Sequence, residues 1–173
     1  KEALDYTLKI KITDIESTSS EVANAAYYQE IILKISKTAE KKKESVLLTN
    51  AKDWIFTFIE GVENAESNSV AGTGSNDVAT NGVPFWLTVD FKEVKTVTGI
   101  QTTHWGAGYA PSKVEIFSSE NGDKWTSIGQ WDTKGRNQTI TFDERIKTRY
   151  LKYQMVTVPS RVDITKFYIY AWE

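Results

Sequence analysis

The 173-residue chain contains no cysteine, one histidine, three prolines and one methionine. The absence of cysteine excludes disulfides, zinc–thiolate sites and thiol nucleophiles, and a single histidine cannot build a multi-histidine metal cluster. Basic residues are not in surplus, because 21 Lys and Arg stand against 23 Asp and Glu. We therefore expect neither nucleic-acid binding nor electrostatic docking on anionic membranes. No apolar run approaches the roughly 18 residues that span a bilayer.

Sequence motifs for catalysis are also missing, since no G-x-S-x-G, P-loop or H-E-x-x-H pattern occurs. Carboxylates are plentiful, and a glycosidase pair could be drawn from many of them: Glu60, Glu63, Glu66, Asp77, Asp90, Glu115, Asp143 and Glu144. Any protein with 23 acidic residues offers such candidates by chance. The chain is therefore predicted to be no enzyme and to use no cofactor, and a convergent buried carboxylate pair in a cleft would reverse that prediction.

What the chain does contain is 40% hydrophobic and 12% aromatic residues, enough for a packed core. Apolar and polar residues alternate in "YTLKIKITDI", which predicts a strand with one solvated face. The segment "QEIILKISKT" is predicted as a second strand because β-branched residues cluster in it. Residues 21–37 also fit a helix capped by Ser19 or Ser20. Two strands alone are not a stable unit, so this hairpin must pack on further residues.

The charged run "AEKKKES", residues 39–45, predicts a solvated linker and a domain boundary. Beyond it, short aromatic and β-branched runs alternate with turn signals: "DWIFTFI", "PFWLTVDF", "VTGIQTTHW", "SKVEIFSSENGDKWTSIGQW", "QTITFDE", "TRYLKYQMV" and "TKFYIYAW". About eight short strands predict a two-sheet sandwich or jelly roll. The polar segment 63–82 is predicted as a long loop that is functional or partly mobile.

Four segments, in this order, resemble the F5/8 type C (discoidin) family and the overlapping galactose-binding-like carbohydrate-binding modules. They are "PFWLTVDFKEVKTVTGIQ", "APSKVEIFSSENGDKWTSIG", "KTRYLKYQMV" and "ITKFYIYAW". The resemblance covers residues 46–173 and implies an all-β, discoidin-like jelly-roll β-sandwich with an N-terminal β-hairpin appendage. Residues 1–45 resemble the last strands of an immunoglobulin-like domain followed by a charged linker, as in surface lipoproteins of Gram-negative glycan-uptake systems.

The resemblance implies a non-catalytic carbohydrate-binding module of an exported bacterial glycan-utilisation protein, in the periplasm or on the outer-membrane surface. Its implied partners are an oligo- or polysaccharide and other domains of the same parent protein, without membrane insertion by this segment. Many relatives hold a structural calcium through a glutamate of the closing strand, but Lys166 stands there, and lysine cannot ligate a cation. No metal is therefore predicted at the family's site, although Asp163 or Asp77 could form a shifted one.

The segment "TTHWGAGYAP", residues 102–111, is the candidate ligand surface. Sugar recognition needs an exposed aromatic ring for the apolar C–H face and polar side chains for the hydroxyls. The resemblance places this segment where relatives carry a ligand-binding arginine, but the histidine and aromatic of the relatives' preceding loop have no counterpart in residues 63–82. The predicted ligand-binding residues, from this segment, the long loop and "TVPSRVD", are Trp105, His104, Tyr109, Arg161, Asn76 and Asp77.

Several alternatives stay open on the sequence. Trp105 is either a ligand platform or a lid on the core, and Arg161 is either a ligand contact or half of a surface ion pair with Asp163. A structural or protein-interaction domain without a small ligand is the second functional hypothesis, and it predicts a buried Trp105 and a sizeable apolar patch. Lipid-headgroup binding ranks last because residues 102–111 include no Lys or Arg.

Four aromatic residues of the resembling segments are predicted to belong to the core, because aromatic side chains dominate sandwich cores. These residues are Trp86, Phe117, Trp125 and Tyr150. Arg149 is predicted to be a paired structural arginine whose stem packs on the sheet.

Overall fold

The structure, a computed structural model, describes residues 5–11, 30–36, 44–49, 51–71, 77–82 and 84–172. These residues form eleven β-strands and one three-residue 3-10 helix, which confirms the predicted all-β class. Within the same ranges, no helix has the length and hydrophobicity that a membrane span requires. The chain divides into two compact units, Lys1–Lys42 and Lys43–Glu173.

The first unit contains a pair of antiparallel strands. Strand β1 spans Asp5–Lys11 and β2 spans Glu30–Ser36. The two ends of β1, at residues 5 and 11, lie opposite residues 36 and 30 of β2. The predicted strands are therefore confirmed, and the alternative helix is wrong for residues 30–36. Residues 21–29 of that alternative, and 39–43 of the predicted linker, lie outside the described residues.

The second unit is built from nine strands, named here in chain order. They are β3 (Ser45–Leu48), β4 (Ile55–Phe58), β5 (Val78–Asn81), β6 (Phe85–Thr103), β7 (Lys113–Ser119), β8 (Thr126–Asp132), β9 (Asn137–Thr157), β10 (Arg161–Ile164) and β11 (Lys166–Trp172). Two of them differ from expectation in length, because the runs predicted as separate strands on either side of residues 92 and 146 are continuous in β6 and β9. Strand β5 lies inside the segment that was predicted to be a loop.

The two long strands create the sandwich. Strands β6 and β9 pair antiparallel from Phe85 opposite Met155 to Thr103 opposite Asn137, with register shifts after Asp90 and after Val97. Before the first shift they are flanked by β4 on one side and by β7 and β8 on the other. After it, β6 pairs with β11, which pairs with β3. Each long strand therefore contributes to both layers, while β5 and β10 form a separate two-stranded sheet.

The core lies between the two layers, where the inward side chains of alternating strands meet. Phe167 of β11 packs edge-on against Phe56 of β4 and Tyr153 of β9, each with ring centroids 5.9 Å apart. Trp54 packs edge-on against Phe91 at 4.9 Å near the bend of β6. Such pairs add to the stabilisation that the rings gain from burial.

Four aromatic residues that were predicted to be core residues are instead half-buried: Trp86, Phe117, Trp125 and Tyr150. Strand alternation explains Trp86, because its neighbours Phe85 and Leu87 both point inward and are fully buried. On the outer face the Nζ of Lys152 lies 5.1 Å from the Trp86 ring and 5.5 Å from the Phe117 ring. Aromatic residues therefore occupy both faces of this sheet, so their presence in a strand did not by itself indicate burial in the core.

The pairing predicted for Arg149 is confirmed, while the packing of its stem on the sheet stays a prediction. Its Nε and Nη2 groups donate hydrogen bonds of 2.9 and 3.0 Å to the two carboxylate oxygens of Asp90. This bidentate pair joins β9 to β6 where the two strands bend.

Candidate functional site

A cleft lies at the end of the sandwich where β6 terminates. It has a volume of about 280 Å³, and its lining residues are Asp77, Trp105, Tyr109, Arg161 and Asp163. Four of these five belong to the predicted ligand-binding set. They come together because the segment after β6, the residue before β5 and strand β10 meet at one edge, where β10 pairs with β5.

The two aromatic side chains of the cleft face solvent. Trp105 is 66% exposed and Tyr109 is 41% exposed. The Tyr109 N–H donates to the Gly106 carbonyl at 3.1 Å, which closes the 3-10 turn Ala107–Tyr109. The Tyr109 ring rests on Gly106, where an added Cβ would stand 3.5 Å from the ring. Trp105 is therefore not a lid on the core, and both rings offer surface to a ligand.

The backbone on either side of the indole is held by hydrogen bonds to other segments. The Trp105 N–H donates to Asp163 Oδ1 at 2.9 Å. The His104 N–H donates to the Arg136 carbonyl at 2.9 Å, and Arg136 Nε returns a hydrogen bond to the His104 carbonyl at 2.9 Å. These bonds fix the direction of the loop at the point where it leaves β6.

His104 does not contact the cleft, because its side chain is wholly buried. Its Nδ1–H donates to the Asp163 carbonyl at 2.6 Å, and its Nε2 accepts from Thr102 Oγ1 at 3.2 Å. Burial lowers the pKa of His104 to about 4, against a smaller raising effect of the Asp163 carbonyl and the nearby Gln138 side chain. The expected ligand contact through His104 is therefore corrected: the ring is a neutral support under the loop.

Asp163 was not predicted to line the cleft. Asp163 is only 2% exposed, and this burial is the main reason that the pKa of its carboxyl group is raised. The Trp105 N–H opposes that rise and the charge of Asp77 adds to it. A carboxylate directly between the β-branched residues Val162 and Ile164 was the available sequence signal, because acidic residues are seldom buried without a role.

Arg161 pairs with Glu63 rather than with the expected Asp163. Its Nη1 and Nη2 groups donate to the two carboxylate oxygens of Glu63 at 3.1 and 2.8 Å. Glu63 is held opposite Ala79 of β5 by an isolated β-bridge, so the pair ties the long loop to β10. The guanidinium lowers the pKa of Glu63, and the carboxylate raises the pKa of Arg161.

The two remaining predicted residues lie in the long loop. Asp77 lines the cleft, and its backbone carbonyl accepts a hydrogen bond from Asn64 Nδ2 at 2.9 Å. Asn76 lies outside the described residues. In the ranges that the structure describes, no group of three or more His, Asp or Glu side chains could hold a metal ion. The shifted calcium considered at Asp77 or Asp163 thus lacks a third ligand of this kind there, and the absence of metal stays a prediction.

Comparison with known proteins gives a family match over most of the second unit. The family model of the F5/8 type C domain matches residues 59–168. No protein with a curated description matches the chain.

Solved structures share the fold. An F5/8 type C domain from Bacteroides fragilis has a TM-score of 0.63 at 14% identity, covering 78% of this chain and 99% of its own. A CBM32 module from Clostridium perfringens, in complex with GalNAc-β-1,3-galactose, has a TM-score of 0.60 at 15% identity, covering 74% of this chain and 100% of its own. The family 32 module of Clostridium perfringens NanJ, in complex with galactose, has a TM-score of 0.58 at 20% identity, covering 74% and 98%. The predicted discoidin-like β-sandwich is confirmed.

Proposed function

The chain belongs to the F5/8 type C domain family, and from that premise we propose that it is a non-catalytic carbohydrate-binding module. The saccharide would bind in the cleft at the end of the sandwich. The observation that carries the proposal is the pairing of two solvent-facing rings, Trp105 and Tyr109, with charged groups on the same cleft. Structural neighbours in complex with galactose and GalNAc-β-1,3-galactose support the proposed ligand class.

The chemistry of the cleft suits a sugar. The C–H face of a pyranose packs on the Trp105 ring, while the hydroxyls at its edge exchange hydrogen bonds with polar side chains. Asp77 and Asp163 accept hydrogen bonds from hydroxyls, and charge-assisted bonds of this kind are stronger than neutral ones. Arg161 has five N–H donors, of which Glu63 engages two, so the others remain for sugar oxygens. An open cleft of this size predicts weak affinity at a single site, which neighbouring modules raise through multivalency.

The wider setting follows from the same family. We infer that the parent is an exported bacterial glycan-utilisation protein, in the periplasm or on the outer-membrane surface, whose other domains are partners of this module. A similar fold in a CBM32 module of a family 31 glycoside hydrolase from Clostridium perfringens supports the glycan-utilisation part of this proposal. We also propose that residues 1–45 are the end of an immunoglobulin-like domain plus a linker, and that residues 46–173 are the F5/8 type C sandwich. The division into two compact units supports that boundary.

A structural or protein-interaction domain remains the alternative without a small ligand. It predicts a buried Trp105 and a sizeable apolar patch, and the 66% exposure of Trp105 speaks against the first of these.

One observation favours a second candidate function, hydrolysis of a glycoside. Asp77 and Asp163 both line the cleft, and the raised pKa of Asp163 is a property that a general acid needs. Against this, one oxygen of Asp163 is engaged by the Trp105 N–H. We expect no turnover of aryl glycosides or of oligosaccharides that the protein binds. Turnover that disappears in Asp163→Asn at unchanged fold would make the cleft an active site.

The experiment for the proposed function is a glycan array with the unchanged protein, Trp105→Ala and the control Val94→Ala. Val94 is 58% exposed in the bend of β6, at the end of the sandwich opposite the cleft. Loss of an exposed side chain changes stability by about 0.5 kcal/mol or less, so all three proteins should melt at similar temperatures. We expect Trp105→Ala alone to lose binding. Equal binding by all three would remove the cleft from the function, and no binding by any would favour a structural domain.

A further inference from the structure

The charges of the cleft carry an inference about which saccharides it accepts. Resting on the proposed function, we propose that the cleft ranks saccharides by charge: it prefers a sugar with a free amine to the matched neutral sugar, and it rejects the matched sugar acid.

Carboxylates outnumber cations around the cleft. Asp77 and Asp163 line it directly, and Glu63 stands behind Arg161. Asp77 and Asp163 line the same cleft, and the charge of Asp77 adds to the rise that burial causes in the pKa of Asp163. Among the described residues no ion pair engages the Asp77 carboxylate. The cleft thus presents two carboxyl groups to an incoming ligand, and no ion pair among the described residues offsets that of Asp77.

The positively charged side chains near the cleft are largely engaged in hydrogen bonds within the protein. Among the residues that the structure describes, Arg161 is the one cation that lines the cleft, and both of its terminal nitrogens donate to the carboxylate of Glu63. Arg136 also lowers the pKa of Asp163 by its charge, but its Nε is bonded to the His104 carbonyl. Arg161 can still donate hydrogen bonds to a ligand, while its charge is offset by Glu63. A ligand carboxylate therefore gains no unopposed cation here.

The aromatic rings add an independent preference of the same sign. The faces of Trp105 and Tyr109 carry negative quadrupole potential and are 66% and 41% exposed. An ammonium group within about 6 Å of a ring centroid is attracted to such a face, whereas a carboxylate is repelled by it. The aromatic rings and the carboxyl groups of the cleft therefore both favour a sugar that carries an ammonium group over one that carries a carboxylate.

The test measures dissociation constants for three matched methyl glycosides, those of galactose, galactosamine and galacturonic acid, and for the corresponding gluco series. Binding is followed by the indole N–H resonance of Trp105, at a pH of about 6 where exposed Asp and Glu are ionised. A unit charge near a partly solvated charged site changes affinity by about fivefold to tenfold. We expect the amine to bind about fivefold tighter than the neutral sugar and the acid about fivefold weaker or not measurably. Both differences should shrink as salt is added.

Two variants assign the effect to this cleft. Asp77→Asn keeps a hydrogen-bond acceptor and removes one charge. It should therefore reduce the ratio of the dissociation constants of the neutral and amino sugars about threefold or more. Glu63→Gln removes the carboxylate that offsets the charge of Arg161. It should therefore reduce the ratio of the dissociation constants of the acid and the neutral sugar. The control Asp123→Asn lies in the turn between β7 and β8, at the opposite end of the sandwich, and should change neither ratio.

The outcomes separate this inference from the function on which it rests. Neutral sugars that bind while the acid binds as well or better would overturn the charge preference and leave the carbohydrate-binding function in place. An amine preference that Asp77→Asn does not reduce would also overturn it. If neither these glycosides nor any array glycan binds, both proposals fall together.

Discussion

Asp163 joins the buried base of the cleft to its exposed rim. Its backbone carbonyl accepts the Nδ1–H of His104 at 2.6 Å, and its Oδ1 accepts the backbone N–H of Trp105 at 2.9 Å. The same side chain lines the cleft. The backbone of Trp105 is thus linked to a buried neutral imidazole through one intervening aspartate. We infer that His104 is a positioning residue: it supports the exposed loop from its buried side and does not itself contact a ligand.

The first prediction concerns the protonation of His104. Because it is the only histidine of the chain, its ring nitrogens can be followed without ambiguity by ¹⁵N NMR. We expect a pKa of about 4 instead of the usual 6.5, since burial penalises the charged ring. We also expect the neutral tautomer with the proton on Nδ1, the atom that faces a carbonyl oxygen. A titration near 6.5 would mean that the ring is solvated and that the loop is not held from below.

This shift has a consequence for stability against acid. Between about pH 6.5 and pH 4 the unfolded chain binds a proton at His104 that the folded chain does not. Stability therefore falls as the pH falls through this window, by up to about 3 kcal/mol. The raised pKa of Asp163 has the opposite effect on stability, because above the ordinary pKa of an aspartate the folded chain binds this proton more readily than the unfolded chain. Denaturant unfolding of the protein and of His104→Asn across this window should show a shallower pH dependence in the variant.

At this scale the sequence predicted residue types better than contacts. Trp105, Tyr109, Arg161 and Asp77 were chosen because rings and polar groups in loops suit sugars, and they line one cleft. The burial of His104 was not predictable, because it depends on a partner 59 positions away. The partner of Arg161 is 98 positions away, so the local sequence offered Asp163, two positions on, in place of Glu63.

At the scale of elements, the bend of the long β6–β9 pair decides how the sandwich closes. Between Val97 and Gly99 of β6 the register on β9 moves from Ile146 to Thr141, so the extra residues of β9 bulge outward. Gly99 lies where the two strands approach each other closely, because a Cβ on it would collide with the Ile140 carbonyl oxygen and stand 3.4 Å from Thr141 Cα. The neighbours are backbone atoms, which cannot rotate away.

The second prediction follows from that close approach. Gly99→Ala should destabilise the protein by about 2 kcal/mol or more, because strain against the backbone must be relieved by separating two central strands. The matched control is Gly108→Ala, where the added Cβ meets no atom within 4 Å. We expect that change to alter stability by about 0.5 kcal/mol or less. Unfolding in urea measures both, and equal stabilities would show that the strands at Gly99 have room to part.

The strands themselves were largely predictable, and their connections were not. Alternation of apolar and aromatic residues predicted the hairpin of β7 and β8 and the closing strand β11. Strand β5 is four residues long and sits in a polar, glycine-rich segment, and it is stabilised by pairing with β10. A strand that depends on a partner about 80 positions away leaves little periodicity of its own.

At the scale of the whole molecule, the fold and the site rest on different parts of the sequence. The core between the layers is set by inward-facing residues of the strands, whose pattern also carries the resemblance to the family. The cleft is built from the loop after β6, the residue before β5 and the short strand β10, and loop segments of this kind are where related proteins differ most. In this chain those segments place two aspartates and a neutralised arginine beside a tryptophan, so family membership alone does not name the ligand.

The last prediction is that residues 43–173 fold as an independent domain. Every residue of the hydrophobic core cluster described between the layers belongs to this unit, from Leu48 at its edge to Ala171 in β11. A chain of about 130 residues buries enough apolar surface to be stable alone. We expect the fragment to unfold in one cooperative transition with dispersed methyl NMR signals, and to retain the Trp105 indole shift changes on adding sugar. A broad transition with collapsed dispersion would mean that the sandwich needs the preceding strands to complete its packing, and that the domain boundary lies nearer the N-terminus.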